Sequence, residues 1–454
     1  MNDWQRRTIA VFYHARGAGL PLRAANAAHL LSWGRYARHH VIYVNVAFDV
    51  PWRLLNMSGL DAVVFDALFC SMHWTPDYFR QRTALCAPIA GLSCPKIAIV
   101  QDEFTNIDLV AGFLESIGVT HVLTCAKQQD WATFYPRLVA GNVTFRTVLT
   151  GYVDETRLAR DPVPAASTRR IAIGYRAGRN PFWLGHHGML KSQVGEKVRE
   201  AAVKIGIPVD IEIPEAINYL KGEQWYEFLG NCRAVIGVEG GASINDHDGR
   251  LRQAVDTYIA KHPGAGFDEV REACFQDRDG EVALICLSPR HFEAAMMKTA
   301  QILVEGNYNG VFKPWQHYIP LKADYSNIAD VMKAVMDDTA VDTMTERAYS
   351  DLIADGRWSY TSFIRDLEVS IVDQFPRRPR RLGIASTPAR YLLQMREAIA
   401  WRYIHLEAKR GFSSILSSLA ATARTMERLP GATRLLAPVR QHVRRLLGLP
   451  EKRL

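Results

Sequence analysis

The sequence predicts an α/β protein with two parallel-sheet domains that face a cleft, followed by a basic helical tail. Three observations support this fold class. Strand-like apolar runs alternate with helical segments over residues 8–149, the alternation starts again at Arg170, and the composition becomes strongly basic beyond Pro376. Alternation of this kind is typical of parallel sheets wound by right-handed crossovers.

In the first half, short apolar runs rich in β-branched residues alternate with longer segments of helical periodicity. The predicted strands are residues 8–13, 40–44, 62–65, 96–100, 121–124 and 146–149. The predicted helices are residues 23–36, 76–85, 108–116 and 127–134.

The second half repeats the pattern and ends in helices. Its predicted strands are residues 170–175, 209–213, 234–238, 282–287 and 302–304, and residues 328–375 have helical spacing of their apolar side chains. Pro162 and Pro164 mark a linker between the halves. We therefore predict a Rossmann-like domain at 1–157, a linker at 158–169, a second Rossmann-like domain at 170–345, a terminal helix at 346–376 and the tail at 377–454.

The overall composition is that of a soluble globular protein. The 454 residues are 48% hydrophobic and 22% charged, and no stretch reaches the ~20 apolar residues that would span a bilayer. Residues 1–7 lead directly into a strand without the pattern of a secretory signal. The seven cysteines lack metal-site spacing, which indicates reduced thiols. These features predict a cytoplasmic protein.

The excess positive charge lies entirely in the tail. Residues 377–454 carry a net charge of +13, whereas the remainder of the chain carries −5. Tail helices are predicted at 388–409, 412–428 and 434–447, and the last places leucines and valines opposite arginines. Basic amphipathic helices of this kind bind anionic membrane surfaces, so we expect a peripheral protein at the inner face of the cell membrane. The alternative is a tail that packs on the body or dimerises. No nucleic-acid-binding motif accompanies the charge, so no nucleic acid is expected as a partner.

Residues 281–327 contain the most informative local pattern. An apolar run is followed by Ser288 and Pro289, which suit the cap and the first position of a helix, and this helix carries Glu293. Another apolar run then follows. Strand–turn–helix–strand order places a helix N-terminus and an acidic residue beside a nucleotide in many α/β sheets.

The stretch from Glu293 to Ile302, EAAMMKTAQI, resembles the C-terminal domain of GT-B-fold glycosyltransferases of the group 1 type. The resemblance implies transfer of a sugar from a nucleotide-sugar, with Glu293 binding the ribose hydroxyls and no metal cofactor. It also implies a terminal helix that crosses back to the first domain. Two positions depart from the family motif: the first of its two glutamates falls on Ile285, and its glycine is replaced by Lys298. The missing glutamate bears on contacts to the transferred sugar.

A diphosphate that leaves during transfer needs cations and backbone amides around it. Segment 171–191 contains Arg176 and Lys191, which match the basic pair that clamps the diphosphate in this family. Gly240, Gly241 and Ser243 follow a predicted strand, where two glycines permit close approach to a ligand and a hydroxyl can contact a phosphate. A plain tight turn is the alternative.

Two further groups of polar residues attract attention. Asp246 and Asp248 form a D-x-D on a Gly-flanked loop, which we interpret as a solvated turn and not as a metal site. In the first half, His14, Asp102 and Glu103 follow predicted strands and are expected to line the acceptor side of the cleft. Asp102 or Glu103 could deprotonate an acceptor hydroxyl in an inverting enzyme, or Asp102 could simply cap a helix.

We therefore predict a glycosyltransferase that uses a nucleotide-sugar donor and a glycan or lipid-linked acceptor, as in surface polysaccharide synthesis. Two alternatives remain open: a non-catalytic GT-B-like binding subunit, and a nucleotide-sugar epimerase or hydrolase on the same fold. The sequence contains no P-loop, H-E-x-x-H or G-x-S-x-G motif and no G-x-G-x-x-G after a strand, which removes the usual support for kinases, zinc hydrolases, α/β-hydrolases and dehydrogenases.

Overall fold

The computed structural model describes residues 6–16, 22–158, 163–214, 220, 222–376 and 386–409, the last five of these by their backbone alone. The chain divides into two compact units. One comprises Met1–Ala15 and Leu22–Glu397, and it contains every strand described below. The other comprises Arg16–Pro21 and Ala398–Leu454, and its described part is Arg16 and the end of the last helix.

The first sheet has six parallel strands in the order β2-β1-β3-β4-β5-β6. All six predicted strands are present, although the last begins two residues earlier than expected. The strands are β1 (Thr8–Tyr13), β2 (His40–Asn45), β3 (Ala62–Phe65), β4 (Lys96–Ile99), β5 (His121–Thr124) and β6 (Thr144–Thr147).

The second sheet has five parallel strands in the order β13-β12-β9-β7-β8. Its strands are β7 (Ile171–Arg176), β8 (Val209–Glu212), β9 (Cys232–Gly237), β12 (Ala300–Val304) and β13 (Ile319–Leu321). The predicted strand at 282–287 does not belong to it. Residues Leu284–Cys286 form β11, which pairs antiparallel with β10 (Gly240–Ala242) in a separate ribbon. The two parallel sheets confirm the predicted fold class.

Helices connect the strands in both halves. Their bounds are α1 (Ala24–Tyr36), α2 (Trp52–Ser58), α3 (Ala67–Cys70), α4 (Pro76–Ala84), α5 (Ile107–Ser116), α6 (Trp131–Phe134), α7 (Pro136–Ala140), α8 (Gly185–Lys204), α9 (Glu223–Asn231), α10 (Arg250–Lys261), α11 (Phe267–Cys274), α12 (Pro289–Met296), α13 (Ile328–Met336), α14 (Asp338–Tyr349), α15 (Tyr360–Ser370) and α16 (Ser386–Lys409). No helix of the described residues is long and apolar enough to cross a membrane.

A bridging segment, residues 243–283, runs between the two strands of the ribbon and packs on the first half of the chain. Leu251 and Val255 of α10 share one buried cluster with first-half residues such as Phe104. Backbone bonds join the two parts directly, because the Asp246 amide donates to the Phe104 carbonyl and the Asn106 amide donates to the Asp246 carbonyl, both at 2.8 Å. The two halves are therefore connected by hydrogen-bonded backbone as well as by apolar contact.

The end of the first unit also returns to the first sheet. Arg38, which follows α1, forms an ion pair with the buried Glu368 of α15 at 3.0 Å. On α16, the carboxylate of Glu397 accepts a hydrogen bond from the Tyr13 hydroxyl, and Arg396 donates to the Asp49 carbonyl. The beginning of the predicted tail, residues 386–397, therefore belongs to the body of the protein. The predicted helices at 412–428 and 434–447 lie outside the described residues.

The bridging segment provides a test of how the halves are held together. The Asp246 carboxylate, 2% exposed, accepts from the amides of Leu251 and Arg252 at 3.0 and 2.9 Å and so stabilises the first turn of α10. Asp246→Ala should cost about 1–2 kcal/mol locally, equivalent to roughly 5- to 30-fold faster amide exchange at the start of α10 and at residues 104–108. Hydrogen-exchange mass spectrometry measures this. Asp256→Ala, on the exposed face of the same helix, is the control, and equal exchange in the two variants would contradict the role of Asp246.

Candidate functional site

Charged groups from both halves converge around Lys191 on α8. Arg290 of α12, Asp102 after β4 and the Cys286 thiol of β11 all lie close enough to act on its charge. Burial lowers the pKa of the Lys191 ammonium, the neighbouring Arg290 lowers it further, and Asp102 opposes both effects. Within the described part of the chain, the ammonium makes no hydrogen bond or ion pair. A partly enclosed cation without a partner is a site that favours an anion.

Arg290, which the sequence analysis did not single out, lies within electrostatic range of Lys191. It occupies the first turn of α12 and donates to the Arg176 carbonyl at 2.5 Å. Its guanidinium lies 5.1 Å from the centre of the Trp225 ring. The sequence could have indicated Arg290. It directly follows Ser288 and Pro289, where a helix start was predicted, and the first turn of a helix attracts anions.

Arg176 occupies a different environment from the one that its predicted role requires. Register pairs it with Glu212 across β7 and β8, and its guanidinium contacts Asp210 at 2.8 Å and Glu212 at 3.5 Å. Its other face lies 4.2 Å from the centre of the Phe228 ring. The charge of Arg176 is therefore already matched by two carboxylates. Lys191 and Arg290, and not Lys191 and Arg176, form the basic pair that the structure brings together.

Glu293 lies on α12 with 7% of its surface exposed. One carboxylate oxygen accepts a hydrogen bond from the indole nitrogen of Trp225 at 2.7 Å. Burial raises the pKa of Glu293, and the Trp225 hydrogen bond and the positive charge of Arg290 act in the opposite direction. The residue is thus a buried carboxylate that accepts a hydrogen bond from Trp225 and lies within electrostatic range of Arg290.

The glycine loop has a structural function in this chain. Gly241 (φ 135°) pairs with Ile285, and a Cβ here would come within 1.8 Å of the Leu284 carbonyl oxygen, so close strand pairing requires glycine. Gly240 pairs with Cys286 in the same ribbon. Ser243 donates to Asp279 at 2.8 Å and accepts from the His187 amide at 3.3 Å, at the start of α8. These contacts give the three residues a role in holding α8 and the ribbon, and contact with the donor stays a prediction.

A second buried carboxylate, Glu239, precedes this loop. It accepts from the amides of Asn307 and Tyr308 at 3.0 and 2.7 Å, and a Cβ at Gly306 would come within 2.2 Å of its oxygen. The first glutamate of the family motif would fall at position 285, which is Ile285 on β11. Glu239 immediately precedes the strand that pairs with Ile285. Sequence spacing could not reveal this relation, because the bridging segment separates the two positions along the chain.

The predicted acceptor-side residues occupy three different environments. The His14 ring nitrogen is 3.0 Å from the Tyr78 hydroxyl, and Asp102 is exposed in a left-handed conformation (φ 58°) near Lys191. Glu103, by contrast, is fully buried and accepts hydrogen bonds from Thr124 and from Tyr135, the latter at 2.9 Å. The prediction that Glu103 faces an acceptor is wrong, because its side chain is fully buried in the first half and hydrogen-bonded to Thr124 and Tyr135.

The D-x-D loop is also explained by structure, since Asp246 caps α10 as described above. Asp248 pairs with Arg250 at 2.8 Å. Among the described residues, no group of three or more histidine, cysteine, aspartate or glutamate side chains is arranged to hold a metal ion.

The structure has two parallel α/β sheets within one compact unit, the architecture of the GT-B fold, and charged groups from both halves surround Lys191. The sequence matches no protein-family model and no curated protein. Similar solved structures include an alpha-glucosyltransferase in complex with UDP and a mismatched 13-mer DNA, at 11% identity over 81% of this chain and 100% of that chain, with a TM-score of 0.48. Anabaena HepE in complex with UDP-glucose is 10% identical over 80% of this chain and 98% of that chain, with a TM-score of 0.44. The pneumococcal O-GlcNAc transferase GtfA in complex with UDP and GlcNAc is 12% identical over 71% of this chain and 58% of that chain, with a TM-score of 0.32.

The burial of Glu103 predicts a pH dependence of stability. Burial raises its pKa to about 7, so its stabilising contribution is complete below its ordinary value of 4.5 and is lost as the pH rises through 7. At roughly 1.4 kcal/mol per pKa unit the loss amounts to about 3 kcal/mol at most. The thermal midpoint of the wild type should therefore fall more between pH 5 and pH 8 than that of Glu103→Gln. Circular dichroism measures both, and Glu200→Gln, at an exposed position, should follow the wild type. Parallel curves for Glu103→Gln and the wild type would contradict the assignment.

Proposed function

We propose that this protein is a glycosyltransferase that transfers a sugar from a nucleoside-diphosphate sugar to a glycan or lipid-linked acceptor. The observation that carries the proposal is the partly enclosed Lys191 ammonium, which has no partner among the described residues and lies within electrostatic range of the Arg290 guanidinium. Two neighbouring cations repel each other, and a diphosphate bound to both would offset that repulsion.

The proposed division of labour follows from the surroundings of each group. Lys191 and Arg290 hold the diphosphate and stabilise the negative charge that develops when its bond to the sugar breaks. Glu293 accepts hydrogen bonds from the ribose hydroxyls. Asp102, the first-half carboxylate that acts on Lys191, faces the acceptor, where it orients the hydroxyl or takes its proton.

A nucleotide panel tests the donor site, with UDP, GDP, ADP, dTDP and CMP added to the wild type, Lys191→Met and Lys197→Met. We expect one nucleoside diphosphate at ~100 Kd to stabilise the wild type by about 2.7 kcal/mol, seen as a rise in Tm. Lys191→Met should bind that ligand at least about tenfold more weakly, because a charge-assisted contact is lost. Lys197, two turns along α8 and paired with Glu200, is the matched control and should retain the response.

The same variant should change stability in the opposite direction without ligand. Removing an enclosed cation that lacks a partner relieves its desolvation, so unliganded Lys191→Met should have a Tm equal to or above that of the wild type. A wild type that responds to no nucleotide would contradict the glycosyltransferase proposal. A nucleotide response that Lys191→Met retains in full would contradict the assignment of the diphosphate site.

The tail leads to a separate proposal, that residues 410–454 bind an anionic membrane and bring the enzyme to a lipid-linked acceptor. The charge of this segment and the apolar stripe at 434–447 support it. A truncation at residue 377 would remove the contacts of Arg396 and Glu397 with the body, so a cut after residue 409 is the cleaner variant.

Vesicle sedimentation tests the membrane proposal. The full chain should bind vesicles that contain phosphatidylglycerol and not vesicles of phosphatidylcholine alone, and binding should weaken as salt rises. Removal of residues 410–454 should abolish binding and leave the nucleotide response intact. Reversing Arg440, Arg444 and Arg445 to glutamate should act like the truncation. Equal binding by the full and truncated chains would refute the proposal.

A further inference from the structure

Trp225, on α9, lies between two residues of the proposed donor site. Its indole N–H donates to the Glu293 carboxylate at 2.7 Å, and its ring lies 5.1 Å from the Arg290 guanidinium carbon. Neither the family motif nor the sequence pattern had drawn attention to this tryptophan. A single side chain thus contacts the carboxylate assigned to the ribose and the cation assigned to the diphosphate.

Of the interactions that favour the ionised form of Glu293, the hydrogen bond from the Trp225 indole is the largest. Burial raises the pKa of Glu293, and the Trp225 hydrogen bond lowers it, ahead of the positive charges of Arg290 and Arg157. Asp154 raises it. Within the described residues, the charged and titratable groups that act on Glu293 are Arg290 on α12, Arg157 and Asp154 in the chain after β6, Tyr226 on α9 and Tyr360 on α15.

The ring of Trp225 also belongs to a continuous stack. It lies 5.7 Å from Phe228 at an interplanar angle of 27°, and Phe228 in turn lies 4.2 Å below the Arg176 guanidinium. Arg176 is fixed by Asp210, and its carbonyl accepts from Arg290. The stack thus begins and ends at arginines, and Arg290 is held both by the Arg176 carbonyl and by the indole face.

On the basis of the function proposed above, we propose that Trp225 is a positioning residue for the nucleotide donor: its N–H orients Glu293 as an ionised acceptor for the ribose hydroxyls, and its ring holds Arg290 toward the diphosphate. Both ribose hydroxyls are donors to a carboxylate, so the ionised form binds them and the protonated form gives up part of this capacity. Trp225→Phe retains an aromatic ring for Arg290 and removes the N–H.

The link between Trp225 and Glu293 is measured first in the ligand-free protein. In protein labelled with ¹⁵N-tryptophan, the Trp225 indole N–H resonance, assigned by its absence in Trp225→Phe, should move with pH as Glu293 titrates. Glu293→Gln should abolish that movement. An indole resonance with the same pH profile in the wild type and in Glu293→Gln would overturn the proposal, whatever the nucleotide experiments give.

Nucleotide affinity is then measured by calorimetry from pH 5 to pH 9, with UDP, GDP and ADP, which share ribose and diphosphate. In Trp225→Phe the midpoint of the affinity–pH curve should lie about one pH unit above that of the wild type, so that the loss of affinity approaches about tenfold below the wild-type midpoint and disappears well above both midpoints. The ionisation of the nucleotide itself contributes equally to every variant. Trp131→Phe is the control, because Trp131 is also a partly buried, stacked indole that donates a hydrogen bond, to the Ala126 carbonyl.

The outcomes separate the two proposals. A loss of affinity that is the same at every pH would mean that Trp225 only supports the fold locally, and it would overturn the positioning role while leaving the donor site intact. No binding of any of the three nucleotides by the wild type would overturn the proposed function and the positioning role with it. An upward shift confined to Trp225→Phe supports the positioning role.

Discussion

The candidate site depends on the attachment of the bridging segment to the first half of the chain. Site residues come from both sheets, so their separation is set by whatever fixes one half against the other. Backbone hydrogen bonds between Asp246 and residues 104–106 do this, with the apolar side chains of α10 buried beside them. The same segment separates β10 from β11 in sequence, and it therefore also decides where Glu239 lies relative to Ile285 and α12.

Electrostatics within the site are unbalanced in a specific way. Arg176 and Asp279 are matched by opposite charges or by hydrogen bonds, and Glu239 is held by two amides. Lys191 has neighbours of both signs but no direct partner within the described residues. Because an enclosed charge costs free energy, a protein retains one without a partner where a ligand supplies it. Burial likewise raises the pKa of Glu293, and the Trp225 hydrogen bond opposes that effect.

The residues proposed from the sequence differ in the contacts that their side chains make in the structure. Lys191 and Glu293 both lie within electrostatic range of Arg290, and Asp102 acts on Lys191 from the first half. Glu103 is in the core, and Arg176, Gly240, Gly241 and Ser243 are engaged in strand pairing, ion pairs or helix capping. Arg290, Trp225 and Glu239 were missed. The same cause underlies each of these cases: a residue type suited to phosphate or sugar chemistry is equally suited to stabilising the fold, and the sequence does not show which contacts it makes.

The sequence by itself determined the fold class, most strand positions and the asymmetry of charge, because alternation of apolar and polar residues is a local property that sets which faces are buried. It also drew attention to Glu293 and Lys191 through short motifs. Only the tertiary structure decided which cation accompanies Lys191, that the segment around residue 284 forms a ribbon and not a strand of the second sheet, and that the chain to Glu397 packs on the body. These depend on contacts between residues tens to hundreds of positions apart, which no local periodicity encodes.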